Sequence, residues 1–212
     1  MKITGAIFDM DGTLLNSMDY WAIVATEFLK SKGIEPPKDN DRVFLEDGMK
    51  EWHKKVCPFL PIEEVSAGIY EIMEGYYSKD VAVKDGAKEM LENLRNHGVK
   101  MCLATATDRS AVERILSRLG ISEYFPKILT SKEVGLGKRF PLIYEKALEF
   151  LGTDKETTYV FEDAYYAINT CYQNGFKVVG VHDKNVYVSE DEIKALATYY
   201  LDENSKYKFD IE

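Results

Sequence analysis

In the stretch GAIFDMDGTLL, residues 5–15, two aspartates come directly after an apolar strand pattern. The run from Ile3 to Phe8 predicts a buried strand, which Gly12 bounds on its far side. Asp9 and Asp11 come at the end of that strand, where open α/β sheets place their ligands. Two carboxylates there can hold a divalent metal, attack an electrophile, or divide the roles of acid and nucleophile. The alternative is an acidic turn, because Asp and Gly are common turn residues.

Composition restricts the partners that the chain can have. Its 212 residues suffice for one large domain or for a core domain with a smaller insert. The net charge of −9 argues against nucleic acid, because a phosphate backbone needs a basic protein surface. A small phosphorylated metabolite is still compatible with this charge, because a bound metal can override the global sign locally.

Cysteine usage and hydropathy indicate a compartment. Cys57, Cys102 and Cys171 are odd in number and widely spaced, which matches neither a disulfide framework nor a zinc site. No apolar run is long enough to span a bilayer, and because MKITGAIFD runs directly into the first strand we expect no signal peptide before it. We therefore expect a cytoplasmic protein without a membrane partner, and a monomer by default.

Strand and helix patterns alternate from Val83 onward, which predicts parallel strands joined by right-handed crossovers. We predict an α/β fold, a Rossmann-like three-layer core with a parallel sheet. Asp85 is expected to cap the first of these helices, and the tail DENSKYKFDIE to be peripheral. The remaining predicted strands are 99–104, 127–129, 158–161 and 177–181, the helices are 110–119, 141–151 and 164–174, and residues 189–201 add a last helix and an edge strand.

Residues 16–81 break this alternation with helical patterns only. Predicted helices cover the segment after Leu15, residues 41–56 and residues 62–79. We therefore expect a catalytic core domain from residues 1–15 and 82–212, with an inserted, mostly helical cap domain at 16–81. A block attached beside the acidic pair at both ends is placed to open and close over it.

Further polar residues are predicted at the same edge of the sheet. Thr105 ends the strand MCLAT and is followed by Ala106-Thr107, Lys138 precedes a helix, and Glu162-Asp163 closes the strand YVFED. Singly, these residues could be a helix cap, a solvated lysine and an acidic helix start. Jointly with Asp9 and Asp11, they supply the carboxylates, hydroxyl and ammonium that phosphoryl transfer requires.

These motifs, in this order, resemble those of the haloacid dehalogenase superfamily of phosphohydrolases. The chain is similar in particular to the branch with a helical cap after the first motif, which includes β-phosphoglucomutase. The resemblance implies that Asp9 is the nucleophile that forms an aspartyl-phosphate and that Asp11 is the acid/base. It also implies that Thr105 and Lys138 bind the transferring phosphoryl oxygens.

The resemblance implies a Mg²⁺ site as well. The ion would be held by Asp9, the backbone carbonyl of Asp11 and Asp163, with Glu162 as a supporting residue or an additional ligand. Mg²⁺ prefers hard oxygen ligands, which suits a carboxylate set without histidine or thiolate.

The chain departs from the family pattern in two motifs. Where relatives often have Lys-Pro-x-Pro, this chain has KRFP at 138–141. Where relatives have Ser and Gly after the acidic pair, Ala164 and Ala167 stand here, with two tyrosines between them. Since the acidic pair itself is intact, these changes bear on substrate detail more than on chemistry.

The cap residues bear on the substrate. In β-phosphoglucomutase, a cap histidine couples substrate binding to closure. Trp21 stands at or near that position here, which argues against the mutase interpretation. Trp21 and Tyr20 could stack on a sugar or base, although aromatic residues at helical spacing are more often core. Glu46 lies in a predicted cap loop, FLEDGM, whose acidic pair would disfavour a second substrate phosphate. Lys50 raises the alternative of a Schiff base as in phosphonate-cleaving relatives, but those lack the aspartate that Asp11 provides here.

The leading hypothesis is a Mg²⁺-dependent phosphatase of a small phosphomonoester, a sugar phosphate or nucleotide, acting through an aspartyl-phosphate. The candidate substrate-binding residues are Thr105, Ala106, Lys138, Trp21 and Glu46. The alternatives are a phosphosugar mutase, a phosphonate hydrolase and a non-catalytic module that binds Mg²⁺ and phosphate.

Overall fold

The structure is a computed structural model that describes residues 2–205, 207 and 208. The chain divides into two compact units. We call Met1–Asn16 together with Ala82–Glu212 the sheet unit, and Ser17–Val81 the helical unit. Among the described residues, no helix is both long and apolar enough to cross a membrane.

The sheet unit is built on six parallel strands in the order β3-β2-β1-β4-β5-β6. This arrangement confirms the predicted α/β fold with a parallel sheet. It also confirms that a last helix and an edge strand follow residue 189. The strands are β1 Gly5–Phe8, β2 Lys100–Thr105, β3 Ile128–Thr130, β4 Thr158–Glu162, β5 Lys177–Val181 and β6 Tyr199–Leu201.

The first strand, β1, lies in the middle of the sheet and is buried throughout. Because side chains alternate along a strand, Ile7 joins a core that contains Tyr144, whereas Phe8 packs edge-on against Phe125. Gly5 allows close packing at the start of β1, since a Cβ there would lie 2.5 Å from the hydroxyl oxygen of Thr153. β1 therefore holds the residues that follow it in a rigid, central position.

Helices connect the strands of the sheet unit and flank the sheet. They are α6 Ala87–Asn96, α7 Arg109–Leu119, α8 Ser131–Val134, α9 Leu142–Leu151, α10 Tyr165–Gln173 and α11 Glu190–Leu196. The N-cap of α6 is Gly86 rather than the predicted Asp85. The chain enters this helix through a left-handed backbone conformation, which glycine adopts without strain.

The helical unit contains five helices and no strand in residues 17–81, all of which are described. The helices are α1 Met18–Trp21, α2 Val24–Ser31, α3 Asn40–Asp47, α4 Met49–Val56 and α5 Ile62–Lys79. The prediction of one helix over 41–56 is wrong, because Gly48 (φ 80°, ψ 163°) separates α3 from α4. That backbone conformation belongs almost only to glycine, and periodicity alone does not reveal it.

The prediction of a peripheral tail is also wrong at one position. Tyr207 is only 8% exposed, and its hydroxyl donates a hydrogen bond to the backbone carbonyl of Thr13. Tyr207 also adopts a left-handed backbone with a φ of 57°. A polar composition predicts solvent exposure on average, and it missed this single buried ring. Residues 206 and 209–212 of the tail lie outside the described residues.

Candidate active site

The loop after β1 holds the first two aspartates in a tight turn. The backbone N–H of Asp9 donates to the carbonyl of Phe161 at 3.0 Å, which extends the pairing with β4 by one residue. Gly12 takes a φ of 77°, and the N–H groups of Leu14 and Leu15 both donate to the carbonyl of Met10. This turn fixes the direction in which the side chains of residues 9 and 11 leave the backbone.

Three carboxyl groups meet at the carboxyl ends of β1 and β4. Oxygen atoms of Asp9, Glu162 and Asp163 lie within 4.8 Å of one another, and all three residues are buried. Parallel pairing of β1 with β4 places Phe8 opposite Phe161, so the residues after each strand end at the same level. The strand-end pattern in the sequence is thus realised as one compact acidic cluster.

Lys138 lies inside this cluster and is only 4% exposed. Its Nζ contacts Oδ1 of Asp9 and donates to Oε1 of Glu162 at 2.6 Å. The hydroxyl of Tyr144 donates to the same Glu162 oxygen at 2.9 Å. Burial opposes a charged ammonium, but Asp9 and Glu162 outweigh that effect and raise the pKa of Lys138 above its ordinary value. Lys138 is therefore a cation at physiological pH.

The cluster contains more negative than positive charge. Three carboxylates and one ammonium, if all ionised, leave an excess of two negative charges (three minus one). Burial raises the pKa of Asp9 well above its ordinary range, and Glu162 and Asp163 raise it further against the opposing effect of Lys138. Burial, followed by the nearby Glu162 carboxylate, raises the pKa of Asp163 to about 7. A divalent cation would offset the excess negative charge and lower these pKa values, because it favours the ionised carboxylates.

Glu162 also presents a free oxygen. Its Oε2 is buried and has no hydrogen-bond partner among the described residues, whereas Oε1 is bound by Lys138 and Tyr144. A buried, unpartnered carboxylate oxygen is costly unless a ligand or water satisfies it. The oxygen donor set, its charge excess and this unpaired atom all fit a hard divalent cation such as Mg²⁺.

The side chain of Asp11 contacts the loop that follows β2. Its Oδ2 accepts a hydrogen bond of 2.7 Å from the hydroxyl of Thr107. The N–H of Thr107 in turn donates to the hydroxyl oxygen of Thr105, the last residue of β2. Ala106, between these two threonines, is exposed. The structure thus joins the loops after β1 and β2 through a residue that the motif analysis did not single out.

Several other polar residues near the cluster were missed by sequence reasoning. The Thr13 hydroxyl donates to Oδ1 of Asp163 at 3.0 Å. Lys84 pairs with Asp183 at 3.0 Å and donates to the carbonyl of His182 at 2.8 Å. Asp183 follows β5 at the same sheet edge, so the strand-end rule could have found it. Thr13 and Lys84 carry no comparable signal, since only the folded loops bring them to these partners.

The two departures from the family motifs lie together in space. The guanidinium of Arg139 stacks over the ring of Tyr166, with its central carbon 4.6 Å from the ring centroid. Phe140 is 53% exposed. The two altered motifs, KRFP and the segment between Ala164 and Ala167, therefore meet in a cation–π contact next to Lys138.

The candidate residues of the helical unit have partners within that unit. Trp21 is half-buried, donates to the hydroxyl of Tyr77 at 3.1 Å and stacks near Phe44 at 6.3 Å. These contacts hold the half-buried Trp21 ring against other aromatic residues of this unit. Glu46 is exposed and pairs with Arg42 at 3.0 Å.

Tyr20 and Lys50 belong to the same unit. The ring of Tyr20 stacks on Tyr76 at 4.4 Å, and both residues are half-buried. Lys50 is exposed on α4. An exposed lysine lacks the desolvated pocket that activates an amine for Schiff-base formation.

Fold and site together define an α/β protein whose buried acidic cluster and lysine lie at the carboxyl edge of a parallel sheet. Residues 6–181 match the family described as haloacid dehalogenase-like hydrolase. The chain belongs to this family, and it is a hydrolase by that membership.

Two related proteins and one solved structure show what this chain is similar to within the family. The chain is 29% identical over 181 residues to the phosphorylated carbohydrates phosphatase of Thermotoga maritima, which covers 82% of this chain and 83% of that one. It is 24% identical over 185 residues to the pyrophosphatase PpaX of Bacillus cereus, covering 85% and 84%. Among solved structures, CbbY of Rhodobacter sphaeroides in complex with xylulose-(1,5)bisphosphate has a TM-score of 0.81 at 20% identity, covering 99% and 97%. This last likeness shows the shared fold.

Proposed function

We propose that this protein is a Mg²⁺-dependent phosphatase that hydrolyses a small phosphomonoester through an aspartyl-phosphate on Asp9. The observation that carries the proposal is the position of Asp9. Its carboxylate lies at a strand end against Lys138 and within 4.8 Å of two further carboxylates. A carboxylate nucleophile beside an ammonium and a divalent cation site is the arrangement that phosphoryl transfer requires.

In the first half-reaction, an oxygen of Asp9 attacks phosphorus and the ester P–O bond breaks. Asp11 gives its proton to the departing alcohol oxygen. In the second half-reaction, water attacks the aspartyl-phosphate, Asp11 accepts a proton from that water, and the bond between phosphorus and Asp9 breaks. Phosphate leaves and both carboxyl groups return to their starting states.

Lys138 and Thr105 are proposed to bind the oxygens of the phosphoryl group. Lys138 supplies a positive charge at the nucleophile, and it is held there by Asp9 and Glu162. The Thr105 hydroxyl accepts from the N–H of Thr107 and can donate its own proton to an oxygen of the phosphoryl group. Ala106 follows Thr105 and is proposed to line the same place.

Asp9, Asp163 and the backbone carbonyl of Asp11 would hold the metal, with Glu162 as a supporting residue or additional ligand. When bound, Mg²⁺ neutralises charge on the phosphoryl oxygens. The charge excess of the cluster and the unpartnered Oε2 of Glu162 support this assignment. Thr13 supports Asp163 through the 3.0 Å hydrogen bond to its Oδ1.

The substrate is proposed to be a sugar phosphate or a similar small monoester, and the named phosphatase of phosphorylated carbohydrates among the relatives supports this class. Residues 16–81 are proposed to act as a substrate-selecting cap, with Trp21 and Glu46 as specificity residues. The named pyrophosphatase makes inorganic pyrophosphate a second substrate worth testing.

The proposal is tested by measuring phosphate release from a panel of sugar phosphates, nucleoside monophosphates and pyrophosphate. Each is assayed with Mg²⁺ and with EDTA, for the wild type and for Asp9→Asn purified in the same way. We expect Mg²⁺-dependent release that Asp9→Asn abolishes. Release that survives Asp9→Asn would refute the mechanism. Isomerisation that depends on a sugar bisphosphate, without free phosphate, would identify a mutase instead.

A further inference from the structure

A hydrogen bond outside the family motifs holds the side chain of Asp11. The hydroxyl of Thr107 lies 2.7 Å from Oδ2 of Asp11, although the two residues are 96 positions apart in the chain. Thr107 is only 3% exposed. Its backbone is in turn fixed to the end of β2 by the 3.0 Å hydrogen bond from its N–H to the Thr105 hydroxyl. The donor oxygen therefore occupies a position set by the sheet.

A hydroxyl suits a carboxyl group that changes its protonation state. It can donate to a carboxylate, and it can accept from a carboxylic acid. In the proposed reaction, Asp11 gives up a proton in one half-reaction and takes one back in the other. Thr107 can remain its partner in both states, so this hydrogen bond can be kept through both half-reactions.

We infer that Thr107 is a positioning residue that holds the Asp11 carboxyl in the orientation needed for proton transfer to the leaving group. The inference rests on the proposed phosphatase function and adds a residue to it. It predicts that loss of the Thr107 hydroxyl lowers kcat/KM more for an ester whose leaving oxygen must be protonated than for one whose leaving oxygen departs as an anion.

The test compares two substrates with the variant Thr107→Val, which keeps the β-branched shape and removes the hydroxyl. The probes are p-nitrophenyl phosphate, whose phenolate leaves without protonation, and the sugar phosphate that the wild-type enzyme hydrolyses fastest. The quantity measured is kcat/KM, because it reports only the steps up to formation of the aspartyl-phosphate. We expect kcat/KM to fall about tenfold or more further for the sugar phosphate than for the nitrophenyl ester, since general acid catalysis contributes roughly 10²–10⁴-fold.

Three further variants make the result specific. Thr107→Ser retains the hydroxyl and should restore the wild-type ratio of the two kcat/KM values. Thr158→Val removes another buried hydroxyl, one that donates to the carbonyl of Asp154 at 2.8 Å at the opposite end of β4, and should leave the ratio unchanged. In an Asp11→Asn background, Thr107→Val should produce no further change in the ratio, because the group that it positions is already inactive.

An equal fall for both substrates would overturn the inference, because a general structural defect does not depend on the leaving group. An unchanged ratio, or failure of Thr107→Ser to restore it, would overturn it as well. Failure of the proposed function looks different, since the wild-type enzyme itself would then release no phosphate from any ester in the panel. Circular dichroism of each variant checks that the fold is intact.

Discussion

Lys138→Met is the substitution for which the structure gives the clearest energetic expectation. Methionine has a similar length but no charge, so the change leaves Asp9 and Glu162 buried without their shared cation. The two residues are 7% and 1% exposed. Removing one partner of a buried ion pair costs about 3–5 kcal/mol of folding free energy, because the remaining charge is uncompensated.

That cost converts to a measurable change in melting temperature. Unfolding entropy of about 2.1 cal/mol/K per residue, applied to a chain of this length, gives a fall in Tm of roughly 7–11 °C for a single transition. The assay is thermal unfolding followed by circular dichroism in metal-free buffer. Lys146→Met, at an exposed position on α9, is the matched control and should change Tm by no more than about 1 °C.

A second substitution tests why Lys138→Met is expected to lose stability. In Lys138→Met combined with Glu162→Gln, one of the two uncompensated carboxylates becomes a neutral amide. We expect the double variant to be more stable than Lys138→Met alone, because the two changes affect the same interaction and are not additive. A Tm for Lys138→Met within about 2 °C of wild type, or a double variant less stable than the single one, would refute this account of the cluster.

Further predictions concern the metal site, the tail and the backbone. The metal-free protein should lose stability as pH rises from about 4 to 7. The pKa of Asp163 is raised to about 7 in the folded protein but is about 3.9 in the unfolded chain. The folded state therefore binds more protons than the unfolded state in this range, and raising the pH favours unfolding. Asp163→Asn should flatten this dependence in urea titrations at several pH values, and it should reduce the rise in Tm on Mg²⁺ addition; a retained slope would contradict the assignment. Tyr207→Phe should lower the free energy of unfolding by about 1 kcal/mol through loss of a buried hydrogen bond, whereas Tyr172→Phe, at a half-exposed position, should have little effect. Gly48→Ala should lower the free energy of unfolding by about 1–3 kcal/mol, because the backbone conformation at this position suits only glycine. Gly75→Ala, in open space on α5, should raise it by up to about 1 kcal/mol. Equal effects of the two substitutions in chemical denaturation would argue against backbone strain at Gly48.

Local patterns were sufficient to predict most of the sheet unit. The strand from Lys177 to Val181 is found at its predicted bounds, and the helix Ile62–Lys79 of the helical unit likewise. Both lie between clear turn or proline signals. The helix boundary at Gly48 was missed, because an apolar period can continue on both sides of a break whose cause is one backbone conformation. The short helix Ser131–Val134 was also missed, since four residues are too few to show a period.

The sequence by itself determined which residues would stand at the carboxyl ends of the strands, among them Asp9, Thr105 and Asp163. That placement depends only on the strand pattern and on parallel connections, both of which are local or general features. Only the tertiary structure decided the partners of these residues, such as Thr107 for Asp11 and Tyr207 for the loop after β1. These pairs join positions about 100 to 200 residues apart, and their contacts depend on loop conformations that no local pattern specifies.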